Sequence, residues 1–300
     1  MFRQRLLLLL VCLLLAPASA RAAEPIAVVA SFSILGDLTQ RVGGERVRVH
    51  TLVGANADAH VYQPTPADAK MIGRAALVVV NGLGFEGWID RLVKAAGYRG
   101  QIVVVSRGID LLKQANGHPG QHAASDPHAW QDLANARRYV DNIAAALTEI
   151  DPAGRGDYAA NVARLHGEIN RLDREIRISI GALPEARRTV VTTHDAFAYF
   201  ARAYGIRFLA PTGVSTDSEA SAADVGKLIR QIQTEKIPAV FMENISDQRL
   251  LERIRTETSA RVGGTLYSDA LSPADGPAAT YLDMMRHNAR TLAAALAPKR

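Results

Sequence analysis

From Asp157 to Leu183 the chain contains no proline, its only glycines are Gly167 and Gly181, and apolar residues recur at Val162, Leu165, Ile169, Leu172, Ile176 and Ile180. Spacings of three and four put these side chains on one face of a helix. Asp151-Pro152 opens the region and Leu183-Pro184 closes it, as helix boundaries often do. A helix of about 25 residues is roughly 37 Å long, enough to run along two small lobes. The same pattern also fits an ordinary amphipathic helix inside one domain, so the flanking segments must decide between the two.

Both flanks alternate short β-rich runs with helical patterns. On the N-terminal side the expected strands are Ile26–Ser31, Val47–Val53, Leu77–Val80 and Ile102–Val105, with helices over Ile34–Val42, Pro66–Arg74 and Phe85–Ala95. On the C-terminal side they are Thr189–Thr193, Phe208–Leu209, Ala239–Met242 and Arg261–Leu266, with helices over Ala196–Tyr204, Ala222–Glu235, Asp247–Thr258 and Ala278–Leu296. Alternation of this kind argues for parallel sheets flanked by helices. The expected fold is therefore α/β with two lobes, each a parallel β-sheet flanked by helices, joined by one long rigid connecting helix. The expected division is 1–23 as a signal peptide, 24–155 as the N-terminal lobe, 156–183 as the connector and 184–300 as the C-terminal lobe.

The leader assignment rests on Arg3 and Arg5, the apolar run Leu6–Leu15 and the small residues Ala16, Ala18, Ser19, Ala20, Ala22 and Ala23, the order of a secretory signal. The run is too short to span a bilayer, which needs roughly 20 residues. Cleavage is expected after Ala20, which ends an Ala-x-Ala pattern, or after Ala23, which ends the run of small residues. The single cysteine, Cys12, lies inside this segment and follows Val11 in mid-run, which argues against lipidation. Losing Arg3 and Arg5 takes the formal net charge from +5 to +3, or to +2 if cleavage after Ala23 also removes Arg21, a balance that points to neither nucleic acid nor an anionic surface.

Among eight histidines, His60, His128 and His194 each sit at a strand-to-helix or loop-to-helix junction, and Asp269 follows the last expected strand. Parallel α/β sheets bind ligands in the crevice beyond the carboxyl ends of their strands. Imidazoles and a carboxylate are good ligands for zinc and its neighbours. Two of the four come from each expected lobe, which would couple metal binding to lobe packing. Taken singly, each histidine fits a helix cap or a core position better than a metal ligand. His50, His166 and His287 read as surface residues of strands or helices.

The stretches Asp58–Asp68 (DAHVYQPTPAD), Asp126–Asp132 (DPHAWQD), Thr193–Phe200 (THDAFAYF), Tyr204–Gly205, Ser215–Ala222 (STDSEASA) and Leu266–Leu271 (LYSDAL) resemble the metal-binding receptors of bacterial ABC importers for zinc and manganese, the cluster A-I solute-binding proteins. The likeness covers essentially the whole mature chain. It implies two α/β lobes joined by a long helix, a periplasmic location, a membrane permease as partner, and a metal held in the cleft by His60, His128, His194 and Asp269. A metallochaperone that loads the receptor is a further partner it admits, and a monomer is expected. Manganese members of the family often carry Glu at the position of His194. Three nitrogens and one carboxylate suit a borderline-soft ion in tetrahedral coordination, so Zn2+ is favoured over Mn2+ or Fe2+.

An enzyme is not expected, because a catalytic zinc keeps an open position and Asp269 is placed to fill it. The competing reading is a metallohydrolase with Asp269 or Glu243 as general base; a third is an adhesin with a structural metal. Asp126, Asp132, Asp195 and Glu219 lie near the proposed ligands. Some of these acids would orient the imidazoles, although helix capping is the default for Asp132 and Asp195. Trp130, Tyr62, Phe197 and Tyr199 are candidates for an apolar wall. The Gln114–Ser125 stretch reads as a loop, and its His118 and His122 are candidates for weak metal capture. A stiff connector predicts a modest lobe rotation on metal loss, with loop rearrangement near His128.

Overall fold

Strand β1 (Ile26–Phe32) runs directly into helix α1 (Ser33–Gly43), and the alternation then continues through the rest of the chain. The computed structural model describes residues 24–113, 125–246 and 248–298. The first lobe continues with β2 (Val47–Val53), α2 (Pro66–Arg74), β3 (Leu77–Val80), α3 (Ile89–Ala95) and β4 (Gln101–Val104). Its four strands are parallel in the order β2-β1-β3-β4. Helices α4 (Leu133–Ile150) and α5 (Arg155–Gly181) follow. The second lobe comprises β5 (Thr189–Val191), α6 (Ala198–Tyr204), β6 (Arg207–Leu209), α7 (Ala222–Glu235), β7 (Ala239–Glu243), α8 (Gln248–Glu257), β8 (Arg261–Leu266) and α9 (Tyr281–Leu296). Its sheet is again parallel, in the order β6-β5-β7-β8.

The two sheets share one topology: the second strand lies outside the first, and the third and fourth lie on the other side. Chain direction across the sheet therefore reverses beside β1 in one lobe and beside β5 in the other, and a crevice opens at such reversals. Burial matches the parallel arrangement. All four residues of β3 are buried, as expected of a strand covered on both faces.

Helix α5 spans 27 residues, about 40 Å. It buries Tyr158, Leu165, Ile169, Leu172, Ile176 and Ile180, and Val162 packs at the edge of the core. This stripe lies against α1, α4 and α9, so it touches elements of both lobes. One continuous core results, holding Val28 and Phe32 of the first sheet, Leu172 and Ile176 of the connector, and Phe241, Leu266 and Leu292 of the second lobe. A smaller separate core lies under α7 and α8 around Val225, Ile229, Ile232, Val240 and Ile254.

Several boundaries differ from those the pattern predicts. Helix α3 starts at Ile89, not Phe85, because Gly82, Leu83 and Gly84 all take positive φ and the resulting turn drives Phe85 into the core. Helix α6 starts at Ala198 and is closed by Gly205 in the left-handed region, a conformation glycine adopts without penalty. Helix α9 starts at Tyr281, capped by Thr280, whose hydroxyl accepts from Asp283 N. His287 is half-buried, with Nε2 3.0 Å from the Thr265 carbonyl, so it is not the surface residue its helix position implied. The leader segment and the 114–124 loop, with His118 and His122, lie outside the described residues.

If the α5 stripe unites the two lobes, truncating it destabilises the whole chain. Ile176→Ala, at a fully packed position, is expected to cost about 2–5 kcal/mol in urea unfolding followed by circular dichroism. A loss under about 1 kcal/mol would show that the stripe packs loosely.

Candidate metal centre

All four predicted ligands converge. One donor atom from each of His60, His128, His194 and Asp269 lies within 4.8 Å of the other three. His60 follows β2, His128 follows the long connection after β4, His194 follows β5, and Asp269 follows β8, so each stands beyond the carboxyl end of a strand. Asp269 is wholly buried, and three imidazole Nε2 atoms face its carboxylate. His194 Nε2 lies 3.1 Å from Oδ2, His60 Nε2 3.3 Å from Oδ2, and His128 Nε2 3.6 Å from Oδ1. Of these groups, His60 Nε2, His128 Nε2 and Asp269 Oδ1 have no hydrogen-bond partner although buried. Buried polar atoms without partners are costly, and a set of them turned toward one point marks a site built for a ligand.

The other faces of two imidazoles are held by carboxylates. His128 Nδ1 lies 2.8 Å from Asp126 Oδ1, which also accepts from the His128 backbone N–H at 2.9 Å. His194 Nδ1 lies 2.7 Å from Glu243 Oε2, close enough for an ion pair though not aligned as a hydrogen bond. The other oxygen of Glu243 accepts from the backbone N–H groups of Thr193 and His194 at 2.7 and 3.0 Å and from the Thr193 hydroxyl. A carboxylate on Nδ1 fixes the tautomer that frees Nε2 as a donor. Glu243 is thus committed to His194, which leaves it no position as a general base. His60 is held differently. Its ring meets Phe85 edge-on, with centroids 4.6 Å apart, and the preceding Ala59 carbonyl accepts from Trp88 Nε1 at 2.7 Å.

The Asp269 loop is pinned from both lobes. Asn288 on α9 accepts from Tyr267 N and donates back to its carbonyl. Trp130 Nε1 and Gln131 Nε2 from the first lobe both donate to the Ser268 carbonyl, at 2.9 and 2.8 Å. Sequence reasoning missed a further buried carboxylate, Glu86. It accepts from the Ser31 hydroxyl and from Asn81 and Gly82 N–H groups, and Asn81 donates to the Pro127 carbonyl beside His128. The signal was available, since Glu86 also follows a strand, β3, in a glycine-rich turn.

Other predicted neighbours sort differently. Asp132 caps α4 through Ala134 N, but Asp195 does not cap α6, which begins three residues later without a side-chain cap. Glu219 is exposed on the loop before α7 and makes no described hydrogen bond or ion pair with the four. Trp130 packs against His128 at 5.3 Å, whereas Tyr62 packs on Trp88 and Phe197 on Phe208. Tyr199 donates to the Asp126 carbonyl. Phe85, not foreseen, is the ring that touches both His60 and His128.

Known proteins are similar to this chain in sequence and fold. The family model described as zinc-uptake complex component A, periplasmic, matches residues 28–295. The chain belongs to this family. A manganese-binding lipoprotein, MntA, of Halalkalibacterium halodurans is 32% identical over 275 residues, covering 91% of this chain and 89% of that one. The periplasmic zinc-binding protein TroA from Treponema pallidum superposes with a TM-score of 0.85 at 31% identity, over 92% of this chain and all of that one. A manganese-bound periplasmic metal-binding protein from Candidatus Liberibacter asiaticus gives 0.80 at 32%, over 91% and 100%. Membership makes the chain a metal-binding receptor of an ABC importer and not an enzyme, which removes the metallohydrolase reading. No helix among the described residues is long and apolar enough to cross a membrane.

The electrostatics follow from burial. Burial pushes the His128 imidazole down, but the Asp269 charge and the hydrogen bonds of Asp126 and Asp269 outweigh it and raise its pKa to about 9. Burial likewise opposes the His194 shift, yet Glu243 and Asp269 hold that imidazole well above its usual range. Asp269, despite burial, is held well below the carboxylate range by His194 and His128. For His128 a raised folded-state pKa means that its contribution is fully present below about 6.5 and is lost as pH rises through about 9. Metal-free protein is therefore expected to lose stability, on the order of 3 kcal/mol, between those limits, while metal affinity rises because the competing proton leaves. Thermal melts with and without chelator, beside affinity measured across the same window, check this. Stability flat with pH in the metal-free form, or affinity unchanged across that window, would contradict it.

Proposed function

We propose that the chain binds one zinc ion at His60, His128, His194 and Asp269 and delivers it from the periplasm to a membrane permease. The observation carrying this reading is the convergence of three imidazole nitrogens on one buried carboxylate, drawn from both lobes. Zinc bonds of about 2.0–2.1 Å in a tetrahedron separate neighbouring donors by roughly 3.3 Å. The 3.1, 3.3 and 3.6 Å nitrogen–oxygen separations fall around that value. Four protein donors leave no position for a reactive water, as suits a carrier. Carboxylates behind His128 and His194 raise the ligands' basicity and fix their orientation. Because one chain supplies all four groups, the receptor is read as a monomer, with 1–23 removed as a leader, lobes over 24–155 and 184–300, and a connector over 156–183.

Manganese is the second reading, and ferrous iron shares its chemistry. One observation favours it: both Asp269 oxygens face imidazoles, Oδ2 toward His60 and His194 and Oδ1 toward His128. A carboxylate binding through both oxygens adds a fifth donor and an oxygen, which manganese prefers. Its relatives span both metals, since MntA is named manganese-binding and TroA zinc-binding.

Elemental analysis of protein purified without added metal, followed by zinc–manganese competition, tests the assignment. Near one equivalent of zinc, retained against excess manganese, is the expected result; manganese retained against zinc would overturn it. Because α5 and the shared core bridge the lobes, loading should alter the shape little. Solution scattering is expected to give a radius of gyration of about 19 Å with metal and within about 1 Å of that without it. A larger difference would mean that the connector bends.

A further inference from the structure

His128 and His194 each have a carboxylate at Nδ1, but His60 has none among the described ion pairs. Its placement depends on the loop between β2 and α2, and that loop is tied to the opposite lobe. Asp58, two residues before His60 and half-buried, accepts from the His60 backbone N–H through Oδ1 at 2.9 Å. Its Oδ2 accepts from the Thr216 hydroxyl of the second lobe at 2.6 Å. Thr216 stands on the loop between β6 and α7. That loop runs beside His194: Thr212 pairs with His194 in a parallel bridge, and Asp195 N donates to the Gly213 carbonyl at 3.1 Å. One chain of hydrogen bonds therefore links the loop carrying His60 to the segment carrying His194, outside the four ligands. A second tie reinforces it. Asn56, in a left-handed backbone conformation (φ 54°), donates its N–H to the Leu271 carbonyl at 2.9 Å and accepts from Asn244 Nδ2 at 3.0 Å.

We infer that Asp58 and Thr216 form a clasp across the cleft that positions His60 and sets how fast the bound ion is released. The inference rests on the reading of the four converging groups as metal ligands. His128 and His194 keep their orientation through Asp126 and Glu243 whether or not the lobes separate, because each pair lies within one lobe. His60 lacks such a carboxylate, and the loop that carries it is held in part by a contact that lobe separation breaks. Opening the clasp frees the His60 loop to withdraw, lowers the donor count from four to three, and lets water reach the ion. Asp58 and Thr216 act as positioning residues and do not touch the metal.

The test uses the full mature chain loaded with zinc and mixed rapidly with excess chromophoric chelator. Thr216→Val keeps the side-chain shape and removes the hydroxyl, and Thr216→Ser keeps the hydroxyl. Losing a hydrogen bond to a charged carboxylate predicts release roughly tenfold faster for Thr216→Val, with Thr216→Ser within about twofold of the parent. The cobalt-loaded visible spectrum of Thr216→Val should match the parent, since the ligand set is intact. Asp58→Asn combined with Thr216→Val should release no faster than Thr216→Val alone by more than about twofold, because both break one contact. Release of Thr216→Val within twofold of the parent, or equal acceleration in Thr216→Ser, overturns the clasp. A parent chain that binds no zinc or cobalt overturns the ligand reading itself, so the two failures are distinct.

Discussion

A fully buried carboxylate ringed by three imidazoles is the interaction on which the rest of this molecule depends. Taking Asp269 out of water is costly unless its charge is met by partners, and the sheet ends of two lobes meet to provide them. Three imidazole nitrogens lie 3.1–3.6 Å from the Asp269 oxygens; of these only His194 Nε2 is hydrogen-bonded to the carboxylate, and a divalent ion placed among the same atoms would satisfy the donors left without partners. This is why burial, which alone would push an aspartate up and a histidine down, ends with Asp269 depressed and His128 and His194 raised.

Holding such a cluster needs stiffness from outside it. Asp126 and Glu243 orient their histidines from within each lobe, whereas Trp130, Gln131 and Tyr281 carry hydrogen bonds between the lobes. Behind them the α5 stripe merges both lobes into one core. Because one core runs through both lobes, a wide hinge motion between them would have to break it. The smaller core under α7 and α8 shares none of its residues with the main one, so that end of the second lobe is the part least tied to the connector.

Much of this was legible in the sequence. The spacing of Leu165, Ile169, Leu172, Ile176 and Ile180 announced α5, and Val47–Val53, Leu77–Val80 and Arg261–Leu266 were readable as short β-rich runs, of which Leu77–Val80 is apolar throughout, as a strand covered on both faces should be. Their junctions with helices pointed to His60, His128, His194 and Asp269. Helix starts were read less well. Phe85 carries an apolar side chain in helical register, yet three successive positive φ angles at Gly82, Leu83 and Gly84 hold it out of α3 and against the histidines. Asp195 sits where a cap should be, but the chain makes a further turn before α6, so the side chain caps nothing.

By itself the sequence determined the periodicities, and hence two parallel sheets and a connector, and it determined which residue types stand at the strand ends, because both depend on local spacing. Only the tertiary structure decided the partners: Glu243 behind His194 across 49 residues, Trp130 on the Ser268 carbonyl across 138, and Thr216 on Asp58 across 158. No local propensity encodes a contact at such separation. It forms because packing the shared core brings the carboxyl ends of the two sheets face to face, and the polar groups buried there must find one another once water is excluded.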